Sequence, residues 1–292
     1  MQNGTARVWV GCHPGPLYDG VLRTGAAQPI SAALNHQGGT MLNSATANQP
    51  RVERWFFIVV GLLMIFLNFV AFGPSIIDPS GRRMPLPFTP LVAAHVAVST
   101  AFLFVFLAQA TLVATRRTDV HRRLGIIGAL LAAALIVLGY FALVGEARRG
   151  FDLSGDLTSL PAPPGMEAAS IMSPVIQLLL FGMLFGAGLL YRQRPELHKR
   201  LIVLAVLGIL SQPPIAHLIT HWPALHPWAP LLFPVSSAVF LAPSAIHDKV
   251  VNARIHPVSL WVPIAAFLVQ AGFFAVIAGT PLWGAIAKWL VR

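Results

Sequence analysis

Two stretches of this chain repeat one chemical pattern, Arg117-Thr118-Asp119-Val120-His121-Arg122-Arg123-Leu124 and Arg194-Pro195-Glu196-Leu197-His198-Lys199-Arg200-Leu201, 77 residues apart. Each copy offers an imidazole, a carboxylate two residues before it and two basic side chains directly after it. A neutral imidazole can lend a nitrogen lone pair to a metal. A carboxylate suits the free amides and dipole of a helix start. Arginine and lysine grip anionic headgroups. Capping and anchoring account for the acids and the bases but not for the histidine, which adds little charge at neutral pH. His121 and His198 are therefore the leading candidates for chemistry.

Two further histidines lie in apolar surroundings, His95 and His217, and an ionisable group within lipid is costly enough to suggest function. In the span that holds both His198 and His217, 19 residues or about 28 Å of helix separate them. One cofactor cannot touch both, but two stacked sites can: His121 with His198 at one level, His95 with His217 at the other. Paired imidazoles suit the two axial positions of a b-type haem iron. Arg122, Arg123 and Arg200 at the helix ends are placed to hold its propionates by charge-assisted bonds. The expectation is one or two haem b groups in a membrane electron-transfer protein. A rival set on the same face, Asp119, His121, Glu196, His198, His247 and Asp248, has the ligand types of a first-row metal or zinc site. It would suit a metal-dependent membrane hydrolase, although no H-E-x-x-H motif occurs. Two readings need no cofactor: a membrane assembly or interaction subunit, and a transporter built on helices broken at Pro213, Pro214, Pro234 and Pro243. No Asp, Glu, Lys or Arg lies well within any apolar stretch, which weighs against ion-coupled transport.

These residues must be positioned by membrane helices. Charged residues make up 10% of the chain and mean hydropathy is +0.71, whereas a soluble domain carries about 25% charged residues. Apolar runs of the length needed to cross a hydrocarbon layer predict seven spans near 55–77, 89–114, 124–145, 171–191, 201–220, 228–246 and 257–279. Open strands would leave unpaired amides in lipid. The sixth run, with Pro230, Pro234 and Pro243, is the weakest. With seven spans, fourteen of the twenty basic residues fall on one side, which predicts a multi-pass protein of a bacterial inner membrane with a cytoplasmic N-terminus and an external C-terminus. The net charge of +10 is then anchoring and calls for no nucleic acid. The expected partners are membrane lipids and a membrane redox partner or respiratory-complex protein. Residues 1–54 read as a disordered cytoplasmic tail, of which 1–40 reads equally as an over-extended gene start, and 55–292 as a single integral membrane domain. The lone Cys12 permits no internal disulfide and no cysteine-based metal centre.

The repeat relates spans two and three to spans four and five, each unit being helix, basic turn, helix. At the same offset His95 corresponds to Met172 and His217 to Tyr140, so the other-level histidines are not duplicated. The fold class expected is all-α, a polytopic transmembrane bundle with a repeated two-helix hairpin. Gly125, Gly128, Gly182, Gly186 and Gly188 would allow close helix approach. The phrases at 116–125 and 194–201, with His95 upstream, resemble a group of bacterial integral membrane proteins to which no agreed activity attaches; the likeness covers roughly 55–290. More distantly, the layout is similar to the cytochrome b561 type, four-helix membrane proteins holding two haems between histidine pairs. That resemblance implies ligands from four helices, whereas here span five would supply two and span four none.

Overall fold

The computed structural model describes residues 31–78, 89–148, 171–277 and 279–290, apart from some side chains inside these ranges. By internal contacts the chain divides into Met1–Ala45 and Thr46–Arg292, and the membrane spans lie in the second unit. All described secondary structure is helical. In order these are α1 (Ser31–Ile77), α2 (Pro90–Ala114), α3 (Thr118–Arg148), α4 (Met172–Leu190), α5 (Pro195–Val203), a π-helical turn (Leu204–Ile209), α6 (Gln212–His221), a 3₁₀ segment (Pro223–Trp228), α7 (Ala229–Asn252), α8 (Pro257–Val276) and α9 (Pro281–Leu290). The expected tail, 1–54, is described only from Ser31 onward, where α1 has begun; residues 1–30 lie outside the described residues.

Five stretches are long and apolar enough to cross a membrane: Glu53–Pro74, Pro90–Ala114, Thr118–Gly145, Met172–Leu190 and Pro195–Ile219. They correspond to the first five expected spans. The apolar part of α8, Pro257–Phe273, falls short of that length among the described residues. The sixth expected span lies within the longer α7, which carries His247 and Asp248 on its last turns. The protein is thus a multi-pass membrane helical bundle.

Local chemistry explains the ends of these helices. Pro90 and Pro195 occupy first-turn positions, where a missing N–H costs nothing. Thr89 caps α2 by accepting from the Val92 amide at 3.3 Å. α2 closes with the Arg116 amide donating to the Val113 carbonyl and the Arg117 amide to that of Leu112. This is the Schellman pattern, and its left-handed position, usually glycine, is taken by Arg116 at φ 61°. For an L-residue that conformation costs about 1–2 kcal/mol.

Helix α2 packs along α3, α3 along α4 and α4 along α5, so the two predicted hairpins stand side by side. The core between them is aromatic: Phe102 of α2 meets Phe181 and Phe185 of α4 edge-on, with ring centroids 5.8 and 5.6 Å apart. Such pairs add dispersion and quadrupole attraction where lipid offers no hydrophobic drive. The stretch Pro195–Ile219 is the axis of the bundle, with 67% of its apolar window buried against 17–28% for the other four. It is not a continuous α-helix. Pro213 and Pro214 cannot donate, and their rings would press on the carbonyls of Ile209 and Leu210. The turn before them widens to π geometry, with the Leu210 amide reaching the Ala205 carbonyl at 3.3 Å, and α6 then restarts the helix. Gly208 in this turn receives the buried Leu241 of α7 against its bare backbone.

Candidate functional site

The two repeated histidines meet. His121 lies in the first turn of α3 and His198 in the first turn of α5, where Pro195 and the Arg194 carbonyl start the helix. Their ring centroids are 6.4 Å apart and their planes are 82° to one another. Both residues are half-buried. The His198 Nδ1 lies 2.7 Å from the Gly188 carbonyl at the end of α4. A carbonyl only accepts, so this bond puts the proton on Nδ1 and leaves the lone pair on Nε2, the arrangement that readies an imidazole to ligate. The approach depends on Gly188: a Cβ there would lie 2.7 Å from the Ile202 side chain, one turn beyond His198.

On the other side, the His121 Nδ1 is buried and makes no hydrogen bond of good geometry, the Gln109 backbone being the polar group nearby. Gln109 of α2 packs on Gly125, one turn along from His121, and its side-chain oxygen is buried and unpartnered. Orphaned buried polar atoms cost free energy and mark places where something else supplies the partner.

Two imidazoles from separate helices, one of them with its Nε2 left as a lone-pair donor, are the donor types that could hold a metal or a haem iron. Of the arginines expected to serve propionates, Arg122 and Arg123 are exposed and follow His121 directly. Arg200 is committed elsewhere.

That commitment builds a second polar cluster. Arg200 is 5% exposed and Asp248 1%. The Arg200 Nε donates to both Asp248 carboxylate oxygens at 3.0 Å and its terminal nitrogen to Oδ1 at 2.5 Å. The remaining terminal nitrogen donates to the Glu196 carboxylate and to its backbone carbonyl, both at 2.6 Å. The Asn252 amide and the His256 backbone N–H also donate to Asp248. Lys199 bridges Glu196 at 2.8 Å and Glu53 of α1 at 2.5 Å. His247 stacks on Phe56 of α1 with centroids 4.2 Å apart. Burial pushes its imidazole below the ordinary value, a shift that Glu53 and Asp248 only partly oppose. Burial would raise the Asp248 carboxyl, but the hydrogen bonds from Arg200, Ser259 and the His256 amide, together with the Arg200 charge, jointly outweigh it and hold it low. These groups tie α1, α5, α7 and α8 at one end of the bundle. The motif hinted at Arg200, but its partner stands 48 residues away with no spacing rule to link them.

The rival metal set is dispersed. Among the described residues no three of His, Cys, Asp and Glu come together as ligands. Asp119 is exposed, while Glu196 and Asp248 are engaged by Arg200. The other histidine pair also goes to separate neighbours. His95 lies against Gly139 of α3. His217 is 2% exposed and packs on Phe72 of α1 at 4.8 Å. Among the described residues no ring contact joins the two. His256 caps α8, its Nδ1 accepting from the Val258 amide at 3.2 Å. The chain matches no known family model, no curated protein and no solved structure.

Proposed function

We propose that the protein is a multi-pass electron carrier of a bacterial inner membrane, in which His121 and His198 hold a single b-type haem at the cytoplasmic face. The observation that carries the reading is that the two repeated imidazoles, from separate helices, stand with ring centroids 6.4 Å apart. The Gly188 carbonyl supports it by fixing the His198 tautomer and raising the basicity of the free nitrogen. When bound, the haem would supply reversible one-electron transfer. His121 and His198 would hold the iron, and the exposed Arg122 and Arg123 would neutralise the propionates at the membrane surface. One site is proposed, on the pair whose rings stand beside one another.

The full chain, expressed with haem supplied and purified in mild detergent, should give sharp α and β bands and a shifted Soret band on dithionite reduction. His121→Ala and His198→Ala should each abolish them, while His95→Ala should leave them. A folded, haem-supplied preparation without these bands overturns the proposal and leaves a cofactor-free assembly or interaction subunit as the reading.

A further inference from the structure

A cleft of about 490 Å³ opens at the same end of the bundle between the start of the first membrane span and the end of α2. Its lining is amphipathic: Arg54, Trp55, Ile58, Thr111, Ala114 and Thr115. The threonine hydroxyls are already spent. Thr111 donates to the Leu107 carbonyl at 2.9 Å and Thr115 to that of Thr111 at 2.8 Å. The Arg54 guanidinium and the Trp55 indole N–H enter none of the hydrogen bonds or ion pairs among the described residues. The acid adjacent to Arg54 in sequence, Glu53, is held by Lys199 at 2.5 Å. No carboxylate lines the cleft, and the exposed Arg116 and Arg117 follow Thr115 directly.

We propose that this cleft is a binding site for one anionic glycerophospholipid, its phosphate held by Arg54 and Trp55 and its first methylenes lying on Ile58 and Ala114. Cleft and lipid are complementary at each level. A planar guanidinium with its donors unspent matches a phosphate in paired fashion. An indole 64% exposed at a span's end is the side chain that sits at headgroup depth. Ile58 lies one turn further into the first span than Arg54, so the lining turns from charged to apolar with depth, as a lipid's own chemistry changes along its length. Arg54 is the charged residue of the lining, so its positive charge favours a net negative headgroup and repels the cation of a zwitterionic one. Arg116 holds its strained left-handed conformation at this place. The site is independent of the histidine pair.

Native mass spectrometry of the full chain in neutral detergent, titrated separately with phosphatidylglycerol and phosphatidylcholine, tests it. The anionic lipid should be retained about fivefold better per basic contact. Arg54→Gln should remove that preference and Arg54→Lys should keep part of it, since an ammonium supplies the charge without the fork. Arg194→Gln, at the other basic turn, should leave the preference intact. Equal retention of both lipids by the wild type would overturn the proposal. So would undiminished preference in Arg54→Gln, or equal loss in Arg54→Gln and Arg194→Gln, which would make the effect one of general charge.

Discussion

The two copies of the repeated motif begin with nearly the same residues and end in different surroundings. In the second copy, His198, Lys199 and Arg200 bond respectively to Gly188, to Glu53 and Glu196, and to Asp248 and Glu196. In the first copy their counterparts His121, Arg122 and Arg123 face outward or into an unsatisfied corner, and both arginines are exposed. The difference follows from position in the bundle. The second copy starts the central, most buried span, so neighbours surround it; the first starts a span with most of its window exposed. Equal sequence thus specifies an equal local turn, while the role of each side chain depends on what packs against it.

Breaking the Arg200–Asp248 pair should show the contrast at its largest. Asp248→Ala leaves a buried guanidinium short of its main partner, and such losses run to about 3–5 kcal/mol. A strongly lowered melting temperature in detergent is expected, whereas Arg123→Gln, at the matching place in the first copy, should change stability by less than about 0.5 kcal/mol. A similar melting shift for both variants would refute the asymmetry. Next in size is Gly188→Ala, whose Cβ would press on Ile202 and disturb the His198 bond. Overpacking costs about 1–3 kcal/mol, and Ile202→Ala in the same chain should recover part of the melting temperature.

The smallest expected effect is one of pH. Burial lowers the proton affinity of the His247 imidazole in the folded state, so the unfolded chain binds the proton more readily. Its contribution to stability is present above its ordinary value of 6.5 and is lost as pH falls below it. The low carboxyl of Asp248 keeps its charge through that window and gives way only in stronger acid. Melting temperature should therefore decline as pH falls below 6.5, and His247→Gln should flatten the decline. An unchanged slope in the variant would remove His247 as its source.

The membrane spans and the paired hairpins were readable from hydropathy and from the repeat, because burial in lipid is decided by length and composition along one segment. The meeting of His121 with His198 was suggested by their recurrence at the starts of their spans. Which helix forms the axis was not readable. The central span has a mean hydropathy of 1.9, below the 2.6 of the largely exposed first and third spans. A helix wrapped by protein and one wrapped by lipid both need apolar surfaces, so hydropathy does not separate them. The π turn had a local sign in Pro213-Pro214, but its closure against Leu241 did not.

The sequence by itself determined that this chain enters a membrane, where its first five spans fall, and that two like turns carry a histidine each. These are properties of single segments: length, polarity, and the residues that start and stop a helix. Only the tertiary structure decided that Arg200 belongs to Asp248, that His217 packs on Phe72, and that the two repeated imidazoles stand with ring centroids 6.4 Å apart. Those outcomes depend on how helices far apart in the chain pack side by side, where a shift of a few ångströms makes or loses a bond.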